Sequence, residues 1–163
     1  MRGITPNLWF DTEAEEAANF YVDLFGGEIG EITRYGEATK AVTDKEPGSV
    51  MTVSWTIRDT KFVGINGGPN FKFNEAVSFE IRCEDQDEVD RHWEALIADG
   101  GAESACGWCK DKFGVSWQVV PEGLYDLISD EDPERAERAT AAMLKQRKID
   151  LEEIRQAADG VPA

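Results

Sequence analysis

Apolar residues recur along this chain in two rhythms, one of period two and one near 3.6, and the rhythms run in the same order twice. From Ile4 to Phe10 the period is two: Pro6, Leu8 and Phe10 share one face and Thr5, Asn7 and Trp9 the other, as in a half-buried strand. Asp11 or Thr12 then caps a helix whose first turn carries Glu13, Glu15 and Glu16, where the helix dipole favours carboxylates. Ala17, Phe20, Tyr21, Leu24 and Phe25 form its apolar stripe, and Gly26-Gly27 ends it. Strands are expected over 28–35, 49–58 and 61–66, with a polar loop over 36–48 and a tight turn at Asp59-Thr60. In the middle strand Met51, Val53, Trp55 and Ile57 oppose Val50, Thr52, Ser54 and Thr56.

Gly67-Gly68-Pro69 opens a hinge, and the plan then repeats. Residues 76–84 alternate, with Val77, Phe79, Ile81 and Cys83 opposite Ser78, Glu80 and Arg82. A helix over 85–99 carries Val89, Trp93, Leu96 and Ile97 on one side and ends at Gly100-Gly101, which mirrors Gly26-Gly27. Strands over 102–111 and 115–121 follow, joined by Lys112-Phe113-Gly114. An internal repeat of strand, helix and strands results. The final residues differ: Asp132-Pro133 caps one helix, with Ala136, Ala139, Met143 and Leu144 as a weak stripe, and Asp150 to Glu153 resembles a capping box for another. These helices hold too little apolar surface to fold alone and must lie on the main body or on a partner. The expected divisions are 1–68, 69–123 and 124–163, together one structural domain.

At 163 residues, with 41% hydrophobic content, the chain can bury a core without staples. No stretch approaches the ~20 apolar residues of a membrane span. A formal charge of −16 disfavours nucleic acid and anionic membrane as partners. Three cysteines, Cys83, Cys106 and Cys109, fit a reducing compartment, and no signal-peptide pattern opens the sequence. A cytoplasmic protein is expected.

The strand faces opposite the apolar ones carry Thr5, Asn7, Trp9, Thr52, Ser54, Gly64, Asn66, Ser78, Glu80, Ser116 and Gln118. Such a face either meets water or lines a concave polar cup for a small ligand. Trp9, Trp108, Phe71 and Phe73 either wall that cup or pack in the core. Glu80 is a candidate general base if burial raises its pKa, and otherwise a partner for Arg82 or Arg34. Cys106-Gly107-Trp108-Cys109 lies in an expected strand, where residues three apart face opposite sides, so a structural role is expected. Lys110-Asp111-Lys112 reads as a charged rim. His92, the one histidine, falls on the second helix, so no nucleophile–histidine pair can be assembled.

The run Ile4 to Phe10, the block from Asn66-Gly67-Gly68-Pro69 to Ser78-Phe79, and Cys106-Gly107-Trp108 through Lys110-Asp111-Lys112-Phe113-Gly114 to Ser116–Pro121 resemble the PhnB-like branch of the glyoxalase / bleomycin-resistance / dioxygenase (vicinal oxygen chelate) superfamily. That branch carries the name 3-demethylubiquinone-9 3-methyltransferase. The resemblance runs over nearly the whole chain, C-terminal helices included. It implies an α+β fold of two βαβββ modules whose curved mixed sheets form a cup, usually in a homodimer. Metal enzymes of the superfamily take one ligand from the first and last strand of each module. Here those positions are Thr5 or Asn7, Gly64 or Asn66, Ser78 and Gln118, which are poor ligands for transition metals. No catalytic metal and no cofactor is therefore expected. No glycine-rich turn opens a helix after a parallel strand, as the adenosine site of a doubly wound methyltransferase requires. The expected ligand-binding residues are Asn7, Trp9, Asn66, Phe71, Phe73, Ser78, Trp108 and Gln118, around a small molecule that is bound, sequestered or turned over without metal.

Overall fold

A computed structural model describes residues 3–40 and 42–161. Residues 1–2 and 162–163 of the expected terminal segments, and residue 41 of the expected loop, lie outside the described residues. Strand β1 (Asn7–Phe10) leads into helix α1 (Ala14–Phe25), followed by β2 (Glu28–Arg34), a one-turn helix α2 (Glu37–Lys40), β3 (Val50–Ile57) and β4 (Thr60–Asn66). The order then repeats with β5 (Ser78–Cys83), α3 (Gln86–Ile97), β6 (Ala102–Glu103), β7 (Trp108–Lys110) and β8 (Ser116–Pro121). Helices α4 (Leu124–Ile128), α5 (Pro133–Met143) and α6 (Leu151–Ala158) complete the chain. The fold is α+β, with two four-stranded mixed sheets of identical connectivity, β1-β4-β3-β2 and β5-β8-β7-β6. The chain forms two compact units, Met1–Phe73 and Asn74–Ala163.

In each unit the first strand pairs in parallel with the last. A parallel neighbour needs a crossover, and the helix supplies part of it, so the helix lies on one face of its sheet. In the first unit Leu8 and Phe10 of β1 lie beside Gly64 and Asn66 of β4, and Val53 and Trp55 of β3 lie beside Gly64 and Phe62. This is the face that α1 covers with Ala14, Ala17, Ala18 and Tyr21, all fully buried. Tyr21 meets Trp55 at a ring distance of 5.8 Å, and Trp55 stacks on Phe62 at 5.5 Å. A Cβ on Gly64 would lie 3.0 Å from Ala14 Cβ, so glycine sets how closely helix and sheet approach.

Gly64 and Asn66 therefore lie on the helix side, not on the polar face expected for them. The reason is parity along β4: Phe62, Gly64 and Asn66 point to the core, and Val63 and Ile65 point to the open face. Asn66 is 5% exposed, and its amide completes the helix start. Its Oδ1 accepts from the Ala14 N–H at 2.8 Å, and its Nδ2 donates to Val50 O at 3.1 Å. The expected cap at Asp11 or Thr12 is thus replaced by a side chain distant in sequence. The hairpin turn is Arg58-Asp59, because Ile57 already pairs with Thr60; Arg58 takes a φ of 50°.

In the second unit the expected strand over 102–111 is a hairpin, which supplies the fourth strand of the repeat. The break falls at Cys106-Gly107, with φ of 56° and 79°, and the Trp108 N–H closes the turn on Ala105 O at 3.0 Å. Two residues of positive φ give the turn the twist of a two-residue hairpin. The core here joins Phe79 and Trp117, 5.5 Å apart, with Cys83, Val119, Val89, Trp93 and Leu96. Asp111 belongs to this core, not to a charged rim: it is 2% exposed. Its Oδ1 accepts from the Phe113 and Val115 N–H groups at 2.9 and 3.0 Å, and its Oδ2 accepts from Trp117 Nε1 at 2.8 Å.

The C-terminal helices pack on the second unit of their own chain. Val120, Leu124, Leu127, Ala139, Ile149, Ile154 and Ala158 form one buried cluster. Asp132 and Asp150 cap α5 and α6 as expected, accepting from the Glu134 and Glu153 N–H groups. Leu144 is 62% exposed, so the expected stripe of α5 stops before it. Residues 146–151 act as a strap. Cys106 and Gly107 N–H groups donate to Gln146 O and Arg147 O at 2.9 and 2.7 Å. Gln86 bridges Ile149 O and the Leu151 N–H at 2.9 and 3.3 Å.

Because Asp111 satisfies three donors in a buried turn, Asp111→Ala is expected to cost about 3 kcal/mol. Urea unfolding followed by tryptophan fluorescence measures this, with the midpoint falling and the slope unchanged.

Candidate functional site

The sheet faces not covered by α1 and α3 hold the site candidates, and each unit contributes separately. In the first unit the open face carries Asn7 and Trp9 on β1, Val63 and Ile65 on β4, and Thr52 and Ser54 on β3. Thr52 and Thr33 share a hydrogen bond of 2.6 Å, and Ser54 Oγ accepts from the Glu31 N–H at 2.8 Å. Asn7 Nδ2 donates to Thr5 O at 2.9 Å on the surface. Trp9 is half-buried, and its Nε1 donates to Gly68 O at 2.8 Å. Its ring lies on Gly67, where a Cβ would come within 2.0 Å of the indole, so no other residue fits beneath it. Phe71, 64% exposed, meets Trp9 edge-on at 5.0 Å. Phe73 meets Phe10 instead, at 5.2 Å. Of the residues expected to gather here, the structure brings Trp9 and Phe71 together and places Asn66 on the other side of the sheet.

The second unit gathers the others. Register puts Glu80 beside Gln118, and Gln118 beside Trp108, so one residue from each of three adjacent strands forms a row across the open face. The next row holds Ser78, Ser116 and Lys110. Gln118 Nε2 donates to Ser78 Oγ at 2.9 Å. Ser116 is 2% exposed and its hydroxyl has no partner among the described residues. Lys110 pairs with Glu75. Glu80 accepts from Arg82 Nε at 3.0 Å through Oε1 and from the Tyr125 hydroxyl at 2.6 Å through Oε2. The Arg82 guanidinium also lies 5.6 Å from the centre of the Tyr125 ring.

These contacts set the charge state. The Tyr125 hydroxyl first, and then Arg82, hold the Glu80 carboxyl below the usual carboxylate value, against a partial cost of burial. The same hydrogen bond pushes the Tyr125 phenol up. Tyr125 did not stand out in the sequence. Its signal was weak: a Leu124-Tyr125-Asp126-Leu127 turn after Glu122-Gly123, too short for its period to be read.

The metal positions of the superfamily do not fit a transition-metal ion here. On the open faces they are Asn7, Ser78 and Gln118, and β4 offers Val63 and Ile65. Amides, a hydroxyl and alkyl groups are not the donor set such ions select. Among the described residues no three His, Cys, Asp or Glu side chains converge as a metal-binding group. His92 is buried beside Cys83, with Sγ and Nδ1 3.5 Å apart. Burial lowers the imidazole pKa and pushes the thiol up to about 12. An adenosine-type methyl donor also finds no doubly wound site. The strand–helix turns are Asp11-Thr12-Glu13 and Glu84-Asp85, without glycine, and side chains of Asn66 and Asp85 already occupy the helix starts.

Two outcomes follow. Cys83 and Cys109 are buried, each with its thiol pushed up to about 12, whereas Cys106 is partly exposed. One thiol, Cys106, is expected to react with a disulfide reagent in the native protein and all three after unfolding, as absorbance counts directly; paired loss of Cys106 and Cys109 on mild oxidation would instead show a redox pair. Tyr125→Phe removes the main cause that lowers the Glu80 pKa. In the native protein Glu80 stabilises the fold above its unfolded pKa and loses this as pH falls through its lower folded value. The variant is expected to move the Glu80 titration to higher pH, read by NMR of the side-chain carboxyl.

Comparison with known proteins places this geometry. The 3-demethylubiquinone-9 3-methyltransferase family matches residues 2–120. The PhnB protein of Bacillus cereus, described under the same methyltransferase name, is 34% identical over 74% of this chain and 99% of its own, with a TM-score of 0.64. Protein PA1353 of Pseudomonas aeruginosa is 19% identical over 75% of this chain and 98% of its own, with a TM-score of 0.58. The fosfomycin resistance protein FosX of Listeria monocytogenes is 13% identical over 77% and 96%, with a TM-score of 0.55. The last two likenesses concern the fold alone. A comparison with curated proteins finds no match. The family match ends at residue 120, so α4, α5 and α6 lie beyond it, which corrects the wider span expected from the sequence. The chain belongs to the 3-demethylubiquinone-9 3-methyltransferase family, in the PhnB-like branch of the vicinal oxygen chelate superfamily.

Proposed function

We propose that this protein binds a small polar molecule without a metal ion, on the open face of its second sheet. The observation that carries the reading is the grouping of Ser78, Glu80, Gln118 and Trp108 on one face, in register across three strands. A hydroxyl, an amide, a carboxylate and an indole supply hydrogen bonds and a stacking surface, the mixture found in ligand sites. Trp9 and Phe71 form a second aromatic surface on the first unit.

Glu80 serves in this reading as a hydrogen-bond acceptor. A general base works best with a pKa near the working pH, and Tyr125 and Arg82 shift Glu80 the other way. The family name denotes methyl transfer, yet the strand–helix turns do not fit a doubly wound donor site, so no methyl-transfer step is assigned. Binding or sequestration is the function proposed. The protein acts as a homodimer in this reading: the superfamily resemblance implies it, and Phe71 and Val77, 64% and 68% exposed, are apolar surface that an interface can cover.

Native mass spectrometry of the protein as purified tests the proposal in one measurement. The expected spectrum is a dimer without stoichiometric metal. A bound transition-metal ion would overturn the metal-free reading, and a monomer at micromolar concentration would overturn the dimer. Calorimetry with S-adenosylmethionine is expected to show no saturable heat.

A further inference from the structure

The row Glu80–Gln118–Trp108 has a chemical bias that goes beyond binding in general, and the inference drawn from it rests on the reading of this face as a ligand site. The Glu80 carboxylate and the face of the Trp108 ring carry negative potential, and the Gln118 amide between them offers an acceptor. A carboxylate has about four lone-pair positions, and Arg82 and Tyr125 each engage one oxygen of Glu80. Gln118 uses one N–H of its Nε2 on Ser78, which leaves its carbonyl oxygen, beside the second N–H, to accept from a ligand. Trp108 is half-buried, lies beside Gln118 on the same face and has no aromatic partner among the described residues, so a ligand on this face can meet its indole.

Both cations nearby are paired, and a cationic ligand shares the Glu80 carboxylate with Arg82. Lys110 pairs with Glu75, and Arg82 pairs with Glu80 and lies over the Tyr125 ring. The whole chain, at −16, adds a field that draws cations and repels anions. Tyr125 comes from α4, outside the family match, and aims Glu80 from the flank of the sheet. It is a positioning residue, because its hydroxyl acts through Glu80.

We propose that the Glu80–Gln118–Trp108 row recognises a planar, cationic or N–H-rich ligand, an amidine or protonated aromatic amine, with its charge on Glu80 and its ring on Trp108, and that the C-terminal extension contributes Tyr125 to hold Glu80 in place. The amide oxygen of Gln118 accepts a second N–H of the same ligand. Ligands of the opposite charge are rejected by Glu80 and by the overall field.

The test uses the full chain, labelled with nitrogen-15, at 150 mM salt to suppress diffuse attraction to the acidic surface. Benzamidine, benzamide and benzoate share one planar frame and differ in charge. Benzamidine is expected to shift the amide resonances of Glu80 and Gln118 and the Trp108 indole N–H, and to bind at least tenfold more tightly than benzoate. Glu80→Gln is expected to weaken benzamidine about tenfold, the effect of losing one charge-assisted contact. Trp108→Leu is a second variant for the same site, read by the loss of ring-current shifts on the ligand. In Tyr125→Phe the acid limb of benzamidine binding is expected to move to higher pH, which a purely structural role for Tyr125 would not produce. Equal or tighter binding of benzoate or benzamide at these resonances would overturn the ligand class and keep the site. Shifts confined to Asp126, Asp130 and Glu131 would assign the binding to general acidity and overturn the inference. Silence from all three probes at this face would overturn both the inference and the binding reading beneath it.

Discussion

Parallel pairing between the first and last strand of each module constrains everything else in this molecule. A parallel neighbour cannot be reached by a hairpin, so the chain must leave the sheet and return, and the helix it forms on the way covers one face. The register then divides every strand into covered and open residues without further choice. Leu8 and Phe10, or Phe79 and Ile81, are committed to the helix side as soon as β1 meets β4 and β5 meets β8. The open face is what remains, and its composition decides what the protein can bind. Asn66 shows how tightly the two are coupled: a residue at the end of the last strand caps the helix that follows the first. Helix start and strand pairing in the first unit therefore support each other in the folded protein.

The second unit carries an addition that the first lacks. Its sheet is narrower at one edge, where β6 spans only Ala102–Glu103, and the strap of residues 146–151 binds beside that hairpin. Main-chain hydrogen bonds from Cys106 and Gly107, the Gln86 bridge and the burial of Ile149 hold it there. Such a strap satisfies backbone groups that a sheet edge would leave open. The turn before α4, from which Tyr125 reaches Glu80, is tied instead to β5 by the Glu122 N–H on Cys83 O at 2.8 Å. The extension is thus part of the polar face as well as part of the core.

Electrostatics on that face are local. Overall charge is strongly negative, yet Glu80 sits between a phenol and a guanidinium that favour its ionised form. Arg82 is well exposed, so its ion pair with Glu80 adds little to stability by itself. Its importance lies in orientation: Arg82 on one oxygen and Tyr125 on the other leave the carboxylate few directions in which to turn.

Much of this architecture was legible in the residues. The alternation from Leu8 to Phe10, the stripe from Ala17 to Phe25, the paired glycines after both helices and the caps Asp132 and Asp150 all act over a few residues, and short-range patterns record short-range physics. The repeat is of the same kind, and the family is carried by the resemblance of Ile4 to Phe10, Asn66 to Phe79 and Cys106 to Pro121. What the residues alone misplaced depends on contacts far apart in the chain. The side of β4 on which Asn66 lies was set by the strands beside it, because Gly64 and Asn66 on one parity and Val63 and Ile65 on the other leave the alternation ambiguous. Asp111 looked like a surface charge until the turn closed around it and Trp117 came within 2.8 Å. Tyr125 gained its role only when the C-terminal helices docked. The sequence by itself determined the long strands and helices, since propensity, periodicity and capping are local, but not the hairpin at Cys106-Gly107 or the short helices α2 and α4. The tertiary structure alone decided which polar residues face each other, since register and docking are interactions between segments distant in the chain.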